Sequence, residues 1–199
     1  MGKQMRLISK LQMFPYFGKL KKLDKIKGHL GLNEGFLIFK IARSLRENSV
    51  IVEIGSFKGK STCFIAEGIG DKKIQFFCID PWKDGLMQEK GDEIFNEFLQ
   101  NTKKYRDRLN ILRGFSHEVI KEWPAHRKID FLWVDGDHSY EGVKKDILNW
   151  THLVKKNSFI CFHDYRDAPG VKKAVDELME DNKIKFIKTE GCIYVSKLL

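Results

Sequence analysis

A chain of 199 residues with 42% hydrophobic and 12% aromatic content can bury one substantial core, and its length argues against two independent catalytic units. No apolar run reaches the roughly eighteen residues of a membrane-spanning helix, and the start of the chain lacks the apolar stretch and small-residue site of a secretory signal, so a cytoplasmic protein is expected. The net charge of +9 is uneven: residues 1–30 carry Lys3, Arg6, Lys10, Lys19, Lys21, Lys22, Lys25 and Lys27 against Asp24 alone, a balance of +7, and the remainder is close to neutral.

Taken in chain order, residues 1–30 read as a basic helical arm ahead of a single domain over 31–199. Leu7, Leu11, Phe14, Phe17 and Leu20 interleave with the lysines. Such a mixture can lie peripherally on an anionic inner-membrane surface, contact an anionic acceptor, or pack on the domain with its lysines solvated. A helix opening at Asn33 or Glu34 carries Phe36, Leu37, Phe39, Ile41 and Ala42, and Val50–Ile54 is a buried strand that ends at Gly55. A helix follows from about Lys60, then a strand over 74–80, and then a loop over 81–91 in which Trp82 and Met87 are expected to lid a site. Beyond it come a helix with Ile94, Phe95, Phe98 and Leu99, a strand over 109–112, and a short helix around Val119, Ile120 and Trp123. A strand over 129–135, a helix marked by Val143, Ile147, Leu148 and Trp150, and a strand over 158–164 follow. A helix with Val171, Val175 and Leu178 and two short strands, 184–188 and 192–196, close the chain.

Repeated strand–helix units give a parallel sheet, and the last two strands are joined by too few residues for a crossover, so they pair antiparallel. The expected architecture is α/β: a Rossmann-like, seven-stranded, mostly parallel sheet with an antiparallel last strand and helices on both faces. Ligands in open sheets of this kind sit beyond the carboxyl ends of the strands, which directs attention to 53–61, Asp80, 114–116, 135–138 and 163–165. Cys63, Cys78, Cys161 and Cys192 show no paired spacing and read as reduced thiols.

The turn at 52–62, Val-Glu-Ile-Gly-Ser-Phe-Lys-Gly-Lys-Ser-Thr, leads a strand into a helix. Gly55 and Gly59 allow close backbone approach to a ligand, but their spacing departs from the GxGxxG pattern that cradles a pyrophosphate. Glu53 would repel phosphate and attract a cationic group, and Ser61 can serve a carboxylate, so an amino-acid moiety fits the turn better than a nucleotide phosphate. Asp80 ends the second strand, where an acid can accept both ribose hydroxyls. Asp135 and Asp164 end neighbouring strands, roughly 5 Å apart, and two carboxylates that close call for a cation such as Mg²⁺.

These motifs, together with Cys-Ile-Asp-Pro-Trp at 78–82, Val-Asp-Gly-Asp-His-Ser-Tyr at 134–140 and Phe-His-Asp-Tyr at 162–165, resemble the class I S-adenosylmethionine-dependent methyltransferases, in particular the small-molecule O-methyltransferases of the catechol and macrolide-sugar type. The resemblance covers residues 30–196. It implies methionine-end contacts at Glu53, Gly55, Phe57 and Ser61, with Ser56, Gly59 and Asp135 completing the cofactor set. It further implies a ribose acceptor at Asp80 and adenine-side contacts at Phe115 and Ser116. A divalent metal, Mg²⁺ or Mn²⁺, would be held by Asp135, His163 and Asp164. The histidine at 163 departs from the usual acidic pair: it either adds a nitrogen ligand or does not ligate. His138 falls where these enzymes carry their general base, and an imidazole can take a proton from an alcohol.

The implied reaction is O-methylation of a hydroxyl on a small molecule or sugar/glycan, by a chain compatible with a homo-oligomer. Two alternatives stand beside it: an RNA-directed methyltransferase or nucleic-acid binder using the basic arm, and a catalytically silent cofactor-binding member. The absence of a zinc ribbon, an RNP aromatic pattern and an Asn-Pro-Pro-Tyr-like tetrad disfavours nucleic acid as a partner.

Overall fold

The computed structural model describes residues 14–85 and 88–199; residues 1–13 of the arm and Met87 of the expected lid lie outside the described residues. Strands β1 (Val50–Ile54), β2 (Gln75–Asp80), β3 (Leu109–Arg113), β4 (Ile129–Val134), β5 (Val154–Phe162), β6 (Ile184–Glu190) and β7 (Ile193–Leu198) form one sheet in the order β3-β2-β1-β4-β5-β7-β6. β1 to β5 pair in parallel, and β7 runs antiparallel between β5 and β6. This is the expected Rossmann-like sheet, with the final hairpin turned so that the last strand lies inside the edge.

Both faces are covered, which is why the central strands are apolar at successive positions rather than at alternate ones. Ile51, Phe76, Cys78, Phe131 and Trp133 pack on one face beneath α2 (Leu32–Ser44), α3 (Lys60–Ile69) and α4 (Gly91–Thr102). Val52, Ile54, Phe77, Leu132 and Val134 pack on the other, beneath α5 (Ser116–Val119), α6 (Tyr140–Trp150) and α7 (Pro169–Glu180). The described part of the arm, α1 (Phe17–Leu23), buries Leu20 in the first of these cores, and Lys60 pairs with Asp24 at 3.1 Å. No helix of the described residues is long and apolar enough to cross a membrane.

One strand start and one side chain differ from expectation. β5 begins at Val154, four residues earlier than predicted, because Lys155, Lys156 and Asn157 are exposed and the register shifts between Ile129 and Phe131, an irregularity that apolar alternation does not reveal. Leu148 of α6 is 62% exposed rather than part of the packed stripe. All four cysteines are free thiols.

Candidate active site

The hydrogen-bond ladder runs one residue past several strand ends: Gly55 N donates to Ile79 O, Gly114 N to Asp80 O, Asp135 N to Ile54 O and His163 N to Val134 O. The tips of β1 to β5 therefore open on one side of the sheet. There the tips of β1 to β4 line a cavity of about 670 Å³, the size of a small-molecule site, while His163 and Asp164 after β5 are not in its wall. Gly55, Phe57, Asp80, Phe115, Ser116, Asp135 and His138, all proposed from sequence, are in its wall.

Gly55 makes the turn possible. Its φ is +86°, and a β-carbon there would stand 2.0 Å from Asp135 O. After it the chain enters a strained turn in which Phe57 has φ +44°. Asp80 holds that turn, accepting from Phe57 N at 2.9 Å and Trp82 N at 2.8 Å, while Trp82 Nε1 donates to Phe57 O at 2.8 Å. Burial pushes the Asp80 carboxyl up from its ordinary range against these bonds. Trp82, expected as a lid residue, is instead buried against Phe95 and Phe98 and braces the turn.

Glu53 is placed elsewhere than the motif implied. Its side chain is fully buried behind the turn, where Oε1 accepts from Ser61 Oγ at 2.6 Å and Oε2 from Thr62 Oγ1 at 2.6 Å and Ser56 Oγ at 2.8 Å. Glu53, Ser56, Gly59 and Ser61 do not line the cavity. They pin the start of α3 to the end of β1, and Gly59 enters that helix at φ +83° against Thr102. Burial pushes the Glu53 carboxyl up to about 7, with the three hydroxyls opposing. A carboxyl raised in the folded state binds its proton more tightly there than in the unfolded chain. Glu53 thus destabilises the fold as pH rises from 4.5 to about 7, by on the order of 3 kcal/mol. Glu53→Gln is expected to flatten that part of the stability profile, measured by chemical denaturation across this pH range; a variant whose slope matches the wild type contradicts the assignment.

Behind the Asp135 wall, the carboxylates of Asp135 and Asp164 share two histidines, His163 and His138. His163 Nδ1 lies 3.2 Å from Asp135 Oδ1 and 3.1 Å from Asp164 Oδ2, and its Nε2 faces Glu34 at 3.7 Å. The ring is only 4% exposed. Burial opposes its charged form, but three surrounding carboxylates outweigh it, and the imidazole is pushed up to about 12. Asp164 takes φ +54° to turn inward and is held below the usual carboxylate range, foremost by His163. His138 is half-exposed at the mouth, with Nε2 3.2 Å from Asp164 and 3.8 Å from Asp135. The nearby Asp135 carboxylate raises its imidazole above 6.5 against partial burial, with Asp164 adding to the rise and His163 opposing it.

Sequence reasoning treated Glu34 only as a helix opener. It is buried, accepts from Gly31 N and Cys192 N at 2.7 Å each, and completes the carboxylate shell of His163. An acid on the apolar inward face of α2 was the available signal. His117 also lines the cavity.

A family model described as a methyltransferase domain matches residues 52–165, which span the turn after β1, the Asp80 tip and the Asp135–His138 and His163–Tyr165 segments. The chain belongs to the methyltransferase-domain family. Among solved structures, this methyltransferase domain is similar to the cofactor-bound Rv0187 from MTB, with TM-score 0.67, 16% identity, and 92% of this chain and 89% of that one covered. It is also similar to the O-methyltransferase TomG of Streptomyces achromogenes, crystallised with SAM, with TM-score 0.66, 15% identity, and 91% and 88% covered. These likenesses show that the methyltransferase domain shares the fold of those structures. In sequence it is 30% identical over 151 residues to protein R132 of Acanthamoeba polyphaga mimivirus and 32% identical over 117 residues to protein y4gI of Sinorhizobium fredii. The matches cover 68% and 57% of this chain, and only 62% and 13% of those two longer proteins.

Proposed function

We propose that the chain is an S-adenosylmethionine-dependent O-methyltransferase acting on a hydroxyl of a small molecule or a sugar/glycan, with His138 as general base. The observation that carries this reading is the convergence of Gly55, Asp80, Ser116, Asp135 and His138 on one cavity. Bound S-adenosylmethionine supplies an electrophilic methyl group. The chain's own contribution is placement and proton transfer: the turn at Gly55 admits the amino-acid end, Asp80 takes the ribose hydroxyls, and His138 receives the acceptor's proton at the mouth. The experiment is a methyl-transfer assay with labelled S-adenosylmethionine against a panel of sugars and phenols. Labelled methyl ethers are the expected products; cofactor binding with no turnover of any hydroxyl acceptor would displace the assignment.

The donor set fits a resident imidazolium better than a divalent metal. A metal using His163 would have to displace a proton held by three carboxylates. One using Asp135, His138 and Asp164, whose ligand atoms all lie within 4.8 Å of one another, would occupy the base. His163 already supplies the positive charge that Asp135 and Asp164 require, so no step is assigned to Mg²⁺ or Mn²⁺. Turnover after EDTA treatment is expected to stay within about twofold of the untreated protein, with no gain on adding Mg²⁺ or Mn²⁺. Activity lost to EDTA and restored by either ion contradicts this assignment and returns Asp135, His163 and Asp164 to the role of ligands.

A further inference from the structure

The basic arm has no part in the mechanism above, and its described residues divide between two faces. Tyr16, Leu20 and Leu23 turn toward the domain: Leu20 is fully buried, and the Tyr16 ring packs 4.9 Å from that of Phe39. Asp24, the only acid of residues 1–30, is drawn to Lys60 at 3.1 Å, and Lys19 pairs with Glu67 at 3.3 Å. The outward face is therefore left without an acid. It carries Lys21, Lys22 and Lys25, all exposed, together with Phe17, 43% exposed, and Phe14, which at 82% is the most exposed large apolar side chain of the described residues. Lys21 sits 5.6 Å over the Phe17 ring. The side chains of Lys22 and Lys25 make no ion pair or hydrogen bond among the described residues. A single exposed ring carries no meaning by itself, but two rings set among unpaired lysines have the composition of a surface that meets both charge and hydrocarbon.

We propose that this face seats the chain on an anionic bilayer surface, with Phe14 inserted at the headgroup boundary and the lysines among the headgroups. Charge complementarity carries the choice of partner. Residues 1–30 hold +7 of the chain's +9 and the rest is close to neutral, so attraction to an anionic surface is confined to this side of the molecule. Seven of the eight cations in that segment are lysines. A lysine ammonium is a point charge suited to a diffuse field of headgroups, whereas nucleic-acid phosphates and base edges favour the bidentate guanidinium of arginine. The inference is independent of the methyl-transfer reading.

The test is cosedimentation of the whole chain with vesicles of phosphatidylcholine alone and with vesicles holding about 30% phosphatidylglycerol, at about 0.1 M salt. The wild type is expected to partition onto the anionic vesicles about 100-fold more strongly, and to lose most of that preference at about 0.5 M salt. Each lysine near the surface is worth about fivefold, so the double variant Lys22→Ala/Lys25→Ala is expected to bind about 25-fold more weakly. Phe14→Ala is expected to cost about tenfold on the same vesicles. These side chains are exposed, so both variants should melt with the wild type and keep its affinity for S-adenosylhomocysteine. Equal partitioning of the wild type onto both vesicles, or onto neither, overturns the proposal and requires no variant to fold. Undiminished binding by the double variant also overturns it. Binding of a labelled single-stranded RNA without binding to anionic vesicles assigns the face to nucleic acid and overturns it too.

Discussion

Gly55→Ala is expected to abolish cofactor binding and to lower the unfolding midpoint by about 5–10 °C. The added β-carbon would meet Asp135 O at 2.0 Å, Asp135 C at 2.5 Å and Gly136 Cα at 2.8 Å. All three are backbone atoms of the neighbouring strand tip, so neither partner can relieve the clash by a rotamer change. Either β1 and β4 separate where they carry the cavity wall, or the turn leaves φ +86° and releases Phe57 from Asp80. Both outcomes remove the wall against which the amino-acid end would lie, and affinity for S-adenosylhomocysteine should fall by about 100-fold or more. Gly70→Ala is the control: φ there is +62° and ψ −132°, but nothing lies within 4 Å of the added carbon, so it should cost about 1–3 kcal/mol of backbone strain and leave ligand affinity unchanged. Equal behaviour of the two variants in thermal melts and titrations contradicts the account of the turn.

His138→Ala is expected to lower kcat by about 10²–10⁴-fold while leaving the affinity for S-adenosylhomocysteine within about twofold. His138 is half-exposed at the mouth and supports no core, so the loss should appear in turnover rather than in stability. The pH dependence gives a second check. A general base acts only when neutral, and Asp135 and Asp164 favour the protonated ring. Activity of the wild type should therefore rise with pH through a midpoint above 6.5, and this limb should vanish in His138→Ala. Unchanged turnover, or a profile that keeps its limb in the variant, removes His138 from the reaction.

Much of this arrangement was legible before any coordinates, for reasons that differ by element. β1, β2 and β4 are covered on both faces, so each is a short, largely apolar run closed by a polar or glycine tip. Those tips are the site: Gly55, Asp80 and Asp135 follow directly from where the strands end. Glu53 was misplaced by strand parity. Successive side chains point to opposite faces, so with Ile54 in the wall of the cavity, Glu53 turns to the α3 side and meets Ser61 and Thr62. Glu34 was out of reach because it acts on a partner distant in sequence, His163, and only the packing of α2 on the sheet brings them together. His163 was legible as a residue of the site, but not as the cation between Asp135 and Asp164, since that depends on a third carboxylate from another helix.

The central claim is that the tips of β1, β2, β3 and β4 form a single crevice for a sulfonium nucleoside. Titration of the purified chain with S-adenosylmethionine, beside Asp80→Ala, tests it most directly. One-to-one saturable binding is expected in the wild type, weakened by about tenfold or more in the variant through loss of the ribose acceptor and of the brace on Phe57. Absence of saturable binding by the folded wild type at millimolar ligand, or identical affinity in the two proteins, would contradict it.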